Sequence, residues 1–97
     1  MGKRQVKILD KAAEEVANVA FFIEGKGLPA TAKRFVDEAF LFFTKLSDER
    51  IKHKPCKAVI WQMLDYRCTN FKKYVVAYID TEEEIIICDF VLQKMIR

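Results

Sequence analysis

Glycine and proline are scarce in this chain, three and two among 97 residues, which excludes collagen-like and low-complexity architectures. No apolar run approaches the ~18 residues a transmembrane helix requires. The longest compact runs are Ala39-Phe40-Leu41-Phe42-Phe43 and Ile85-Ile86-Ile87-Cys88. Histidine occurs once, at position 53, so Ser/His/Asp and Cys/His nucleophile sets have no supporting context. A glycine-rich phosphate loop is also lacking, which argues against a nucleotide-dependent enzyme. Cysteine is odd in number (Cys56, Cys68 and Cys88), with no C-x-x-C pair. A zinc site would need all three plus His53 at unfamiliar spacings. The expectation is three reduced thiols packed as small apolar side chains, with no metal and no cofactor. The basic start Met1-Gly2-Lys3-Arg4-Gln5 leads into no apolar stretch, and Val6 stands where a myristoylation pattern needs Ser or Thr. Neither a signal peptide nor a membrane partner is expected, and the default compartment is the cytoplasm.

What is present fits one globular domain over residues 1–97. Hydrophobic residues make up 52% and charged residues 32%, too apolar for a disordered tail. The net charge of +3 is mild, so only the placement of the bases can suggest a polyanionic partner. Eight phenylalanines can fill a small core with large rings.

Val6 to Leu9 reads as an opening strand, and Asp10 as the N-cap of a helix. Apolar residues at Ala12/Ala13, Val16, Val19/Ala20 and Ile23 follow helical spacing. Gly25 and Gly27 end that helix. Pro29 opens a second helix, with a stripe of Ala32, Phe35/Val36, Ala39/Phe40, Phe42/Phe43 and Leu46. The two form an antiparallel hairpin with one wide apolar face. Arg50 to Lys57 is a loop holding Arg50, Lys52, His53, Lys54 and Lys57 with no acid. Three strands are expected after it: Ala58 to Cys68, Lys72 to Asp80 and Glu84 to Leu92, with Thr69-Asn70 as the first turn. The last two runs are apolar on both faces, as central strands are. The order is β-α-α-β-β-β. It predicts an α+β two-layer sandwich, with the helical hairpin on one face of a mainly antiparallel sheet of about four strands.

This order resembles the RelE/ParE superfamily, the toxins of bacterial type II toxin–antitoxin modules. Four features carry the resemblance from Val6 to about Gln93. They are the opening strand with its Ala/Glu-rich helix, and the stretch Ala32-Lys33-Arg34-Phe35-Val36-Asp37-Glu38. They are also the proline-containing basic loop, and Arg67 ahead of the aromatic strand Tyr74-Val75-Val76-Ala77-Tyr78. The resemblance implies a toxin that serves plasmid stabilisation or growth arrest and is neutralised by a cognate antitoxin, alone as a homodimer or with it in a heterotetramer. Its target would be gyrase, or messenger RNA on the ribosome. Two departures bear on that choice. Val75 follows Tyr74 where relatives often carry arginine, and the end reads Val91-Leu92-Gln93-Lys94-Met95 where a histidine and arginines are common. Relatives that poison gyrase need no nuclease site, so the departures favour a non-enzymatic, target-binding inhibitor. The alternatives are a metal-independent endoribonuclease using Arg67 and His53, or a plain nucleic-acid-binding α+β module.

Candidate residues follow. Arg50, Lys52, Lys54, Lys57, Arg67, Lys72 and Lys73 could grip phosphates or a target by counterion release; the competing reading is a solvated loop. His53 could act as acid or base, or simply be exposed. Tyr66, Tyr74 and Tyr78 could stack on bases, or sit half-buried in strands. Trp61 and Phe90 are candidates for an apolar antitoxin-binding groove on the face that the helices leave open, although the core is the favoured place for Trp61.

Overall fold

A computed structural model describes residues 4–48 and 54–95. Strand β1 (Gln5–Ile8) leads into helices α1 (Asp10–Gly25) and α2 (Pro29–Lys45). A two-residue strand β2 (Lys54–Pro55) and a one-turn helix α3 (Val59–Met63) follow. The meander β3 (Arg67–Phe71), β4 (Tyr74–Asp80) and β5 (Glu84–Leu92) ends in a 3₁₀ turn (Gln93–Met95). The sheet order is β1-β5-β4-β3-β2. Only the β1–β5 pair is parallel, because β1 and β5 are joined by the whole intervening chain rather than by a hairpin. No helix among the described residues is long and apolar enough to cross a membrane.

The helical hairpin forms as its periodicity demands. The N-cap of α1 is Leu9, in extended conformation, and Asp10 lies inside the first turn, where its carboxylate favours the positive helix end. Gly27, at φ 84°, closes the connection, a conformation that costs glycine nothing sterically. Pro29 occupies the first turn of α2. Buried Ala32, Phe35, Ala39, Phe43 and Leu46 recur every three or four residues, so α2 offers the sheet one apolar stripe. Ala12 and Val16 of α1 complete the layer.

The sheet meets that stripe with Phe71, Val76, Tyr78, Ile85, Ile87 and Phe90. Phe35 points its edge at the rings of Phe71, Tyr74 and Phe90, with centroids 5.8, 5.7 and 6.2 Å apart. Tyr74 stacks on Phe90 at 4.9 Å. Each such pair adds about 0.5–1.5 kcal/mol beyond its burial.

Four sequence expectations need correction. Ala58 to Cys68 is not one strand. Val59–Met63 is a helical turn, with Gln62 N–H bonded to Ala58 O at 2.9 Å, and Asp65 at φ 59° ends the segment before β3 begins at Arg67. Thr69-Asn70 is not a turn but lies within β3; the turn is Lys72-Lys73, with Lys72 at φ 55°. Cys56 and Cys68 are not reduced thiols but a disulfide, brought together because β2 pairs with β3; Cys88 alone is a free, buried thiol. Phe90 is not on the open face. The pairing shifts between Ala77 and Tyr78, so that Ala77 faces Asp89 and Tyr78 faces Ile87. Cys88 is thus an extra residue, and Phe90 turns inward to the helices, 1% exposed. The sheet also gains a fifth strand, the short edge β2.

Phe43 is fully buried among these rings, whereas Leu41 on the same helix is 58% exposed. Phe43→Ala is expected to destabilise the fold by about 3–5 kcal/mol, and Leu41→Ala by no more than about 0.5 kcal/mol. Urea unfolding followed by circular dichroism would distinguish them; equal losses would contradict this core.

Candidate functional site

Alternation along β3 and β4 sends Phe71, Tyr74 and Val76 to the helices and turns Cys68, Asn70 and Val75 to the opposite face. There the segment from β2 through α3 stands as a wall. Between wall and sheet lies a cavity of about 590 Å³, open to solvent. Lys54, Lys57, Ala58 and Trp61 line it from the wall, and Cys68, Asn70 and Val75 from the floor. Gln93 closes one end and also borders a second hollow, lined by Lys73, Leu92 and Lys94. The two hollows share Gln93 and together make up the groove, whose floor mixes Val75 with polar Asn70. Lys54 and Lys57 line the first hollow, Lys73 and Lys94 the second, and no described lining residue is acidic.

The wall is built locally. Gln62 Nε2 donates to Lys57 O at 3.3 Å, and Tyr66 N–H donates to Trp61 O at 3.0 Å. Trp61 is half-buried against the groove. Val59, Ile60, Met63 and Leu64 point outward, 67, 66, 80 and 53% exposed. At the far end of the wall the Tyr66 hydroxyl lies beside the Cys88 thiol, which donates to Ile86 O at 3.4 Å. Burial raises the pKa of both groups, so both stay protonated at neutral pH.

Not every expected site residue reaches this groove. Lys54, Lys57, Trp61 and Lys73 line it. Lys72 turns the other way: its Nζ lies 3.1 Å from a Glu38 carboxylate oxygen on α2 and 5.5 Å from the Phe71 ring centroid. Arg67 pairs in the sheet opposite Tyr78, and its charge acts on that phenol rather than on the groove. Arg50, Lys52 and His53 lie outside the described residues. Asn70, Val75, Gln93 and Lys94 were not expected as a set. Asn70 reads as a turn residue in sequence, and only the β3–β4 register shows that it shares a face with Val75.

The groove's described side chains supply ammonium groups, amide groups, a hydroxyl, an indole and methyl groups. None is a carboxylate or an imidazole, the usual groups for taking a proton from a reacting hydroxyl. Among the described residues no group of three or more His, Cys, Asp or Glu stands together as a metal site.

A family model described as the ParE toxin of the type II toxin–antitoxin system parDE matches residues 6–97. The chain belongs to the ParE toxin family. It is the toxin component of a type II toxin–antitoxin system, which implies a cognate antitoxin as partner. Among solved structures, a chain from a chromosomal ParDE system of P. aeruginosa has a similar fold, with a TM-score of 0.75 over 93% of this chain and 96% of that one, at 14% identity. Among curated proteins there is no significant match. The α+β sandwich expected of a ParE-type chain is the fold observed, with the α1–α2 hairpin on one face.

Tyr78 ties this face of the sheet to the core. It is fully buried, and its pKa is pushed up from 10.0 to about 12, first by burial and then by the Asp80 carboxylate, with Arg67 and Arg4 opposing. Below pH 10 both folded and unfolded chains keep the proton. Between about 10 and 12 only the unfolded chain releases it, so stability falls there by on the order of 2 kcal/mol. Unfolding measured across that window is expected to show a shallower fall in Tyr78→Phe. Parallel curves would mean that the phenol ionises freely in the folded state.

Proposed function

We propose that this ParE-family toxin arrests growth in the cytoplasm by binding a macromolecular target, with gyrase as the first candidate, and that it does so without catalysing a covalent step. The observation that carries the reading is the groove: four lysines, Trp61 and Val75 on its lining, and no acid or imidazole among the described lining residues. Such a surface attracts an anionic partner over distance and holds it by apolar contact. Its described lining residues include no acid–base pair of the kind that RNA cleavage by an internal 2′-hydroxyl requires. The absence of arginine at Val75 and of histidine at Gln93 supports the same reading. The cognate antitoxin would neutralise the toxin by occupying the surface that the target needs.

Induction of the toxin alone is expected to stop growth, and co-expression of the antitoxin to restore it. Purified toxin should inhibit DNA supercoiling by gyrase. Lys54→Glu combined with Lys57→Glu should weaken that inhibition by about tenfold or more, with the circular dichroism spectrum unchanged. Primer extension on transcripts from arrested cells should show no new ends. Cuts within translated codons, with gyrase unaffected, would replace this reading by that of an endoribonuclease.

A further inference from the structure

Cys56 and Cys68 bracket the wall of the groove. They are 12 apart in sequence, their Cα atoms are 4.8 Å apart, and they are joined by a disulfide. Little else fastens the segment between them. Helix α3 has no buried residue, and three of its large apolar side chains, with Leu64 at its C-cap, point to solvent. The hydrogen bonds of Gln62, Leu64, Asp65 and Tyr66 to the backbone all close within the segment itself. Ala58 and the half-buried Trp61 supply its apolar contact. Such a segment sits at the low end of local stability once a crosslink is removed.

The two sulfurs are not equivalent. Cys56 is 2% exposed and does not border the groove, whereas Cys68 lines it. A thiolate entering from solvent therefore reaches Cys68. Cys56 lies two residues after Lys54 and one before Lys57, a setting that favours its departure as a thiolate. The third cysteine, Cys88, is buried and its thiol donates to Ile86 O, and as a protonated thiol it is a poor competitor for the bridge.

We propose that Cys56–Cys68 is a reversible thiol–disulfide site whose reduction releases the α3 wall and dismantles the groove. The co-reactant is a dithiol. Its first sulfur, as thiolate, attacks Cys68 Sγ; the Sγ–Sγ bond breaks, and Cys56 leaves as a thiolate that takes up a proton. The second sulfur of the reductant then attacks the first and displaces Cys68 as a thiolate. The protein gains two electrons and two protons, and the reductant becomes a disulfide. Loss of target binding on reduction rests on the functional reading above; the opening of the wall does not.

Hydrogen exchange with mass spectrometry on the full chain, with and without dithiothreitol, tests the opening. Closing a loop of this length restricts the open chain by a factor on the order of 100. Amides of residues 57–66 should accordingly exchange about 100-fold faster after reduction, while those of β4 and β5 keep their protection. Alkylation should find two additional thiols. Combined Cys56→Ser and Cys68→Ser should show fast exchange without reductant. With glutathione, a monothiol, the mixed disulfide should map to Cys68. The proposal is overturned by equal exchange in both redox states, by collapse of β4 and β5 on reduction, by an adduct mainly on Cys56, or by three free thiols persisting in oxidised glutathione.

Discussion

Strand β5 must serve two neighbours at once, β1 in parallel and β4 in antiparallel register, while carrying more of the core than any other strand. A strand of unbroken alternation could not place Ile85, Ile87 and Phe90 on one face, because 87 and 90 differ by an odd number. The extra residue at Cys88 solves this. It resets the period, so Phe90 joins the isoleucines beneath the helices, and it increases the local twist as bulges do. The Asp89 carboxylate accepts from Phe90 N–H at 2.9 Å and lies 3.1 Å from Lys11 Nζ at the start of α1. The irregularity is thus tied to the helical layer. Phe35, Phe43, Phe71 and Tyr74 all pack on Phe90, so the aromatic core depends on that one reset.

The same displacement shapes the opposite face. Cys88 is turned away from the helices, where its thiol meets the Tyr66 hydroxyl at the base of the wall. One face of the sheet therefore holds rings packed to interior density, and the other holds a groove whose wall hangs on a disulfide and a few local hydrogen bonds. Stability and recognition are separated by the thickness of one sheet. Substitutions under the helices act mainly on folding, whereas changes at Lys54, Lys57 or Trp61 leave the aromatic core untouched.

How much of this was legible in the sequence depends on the element. The stripe from Ala32 to Leu46 repeats over four turns, and a pattern that long names its own period. Strand β5 was bounded correctly by the acidic turn before it and the loss of apolar residues after it. Helix α3 was not legible. Val59, Ile60 and Trp61 favour strands, and a single helical turn gives no period to weigh against that preference. The bulge left no trace either, which is why Phe90 was assigned to the wrong face. The disulfide could not be read because it follows from the β2–β3 register, and a two-residue strand containing Pro55 has no sequence signature. For the site, the acid-free stretch singles out Lys54 and Lys57 as target-binding candidates, and the structure places both on the groove lining. Adjacent lysines at a tight turn point to different faces, however, so Lys73 and Lys72 could be told apart only once the turn was located.

The wall also explains where binding energy remains unspent. Val59, Ile60, Met63 and Leu64 are large apolar side chains held in solvent by a short, fastened helix, and Phe21, Phe22 and Leu28 are similarly exposed around the connection of α1 to α2. Fully covering one such side chain is worth up to about 1.5–3 kcal/mol. Isolated apolar residues on a surface need no explanation. Three from one helical turn and Leu64 at its C-cap form an exposed apolar patch beside the lysine-lined groove, and exposed apolar patches are common at interaction surfaces. An antitoxin segment with apolar side chains and acidic flanks would gain from both at once. Because the patch is carried on the disulfide-bounded segment, the geometry that presents it to a partner is set by the same covalent bond that holds the groove.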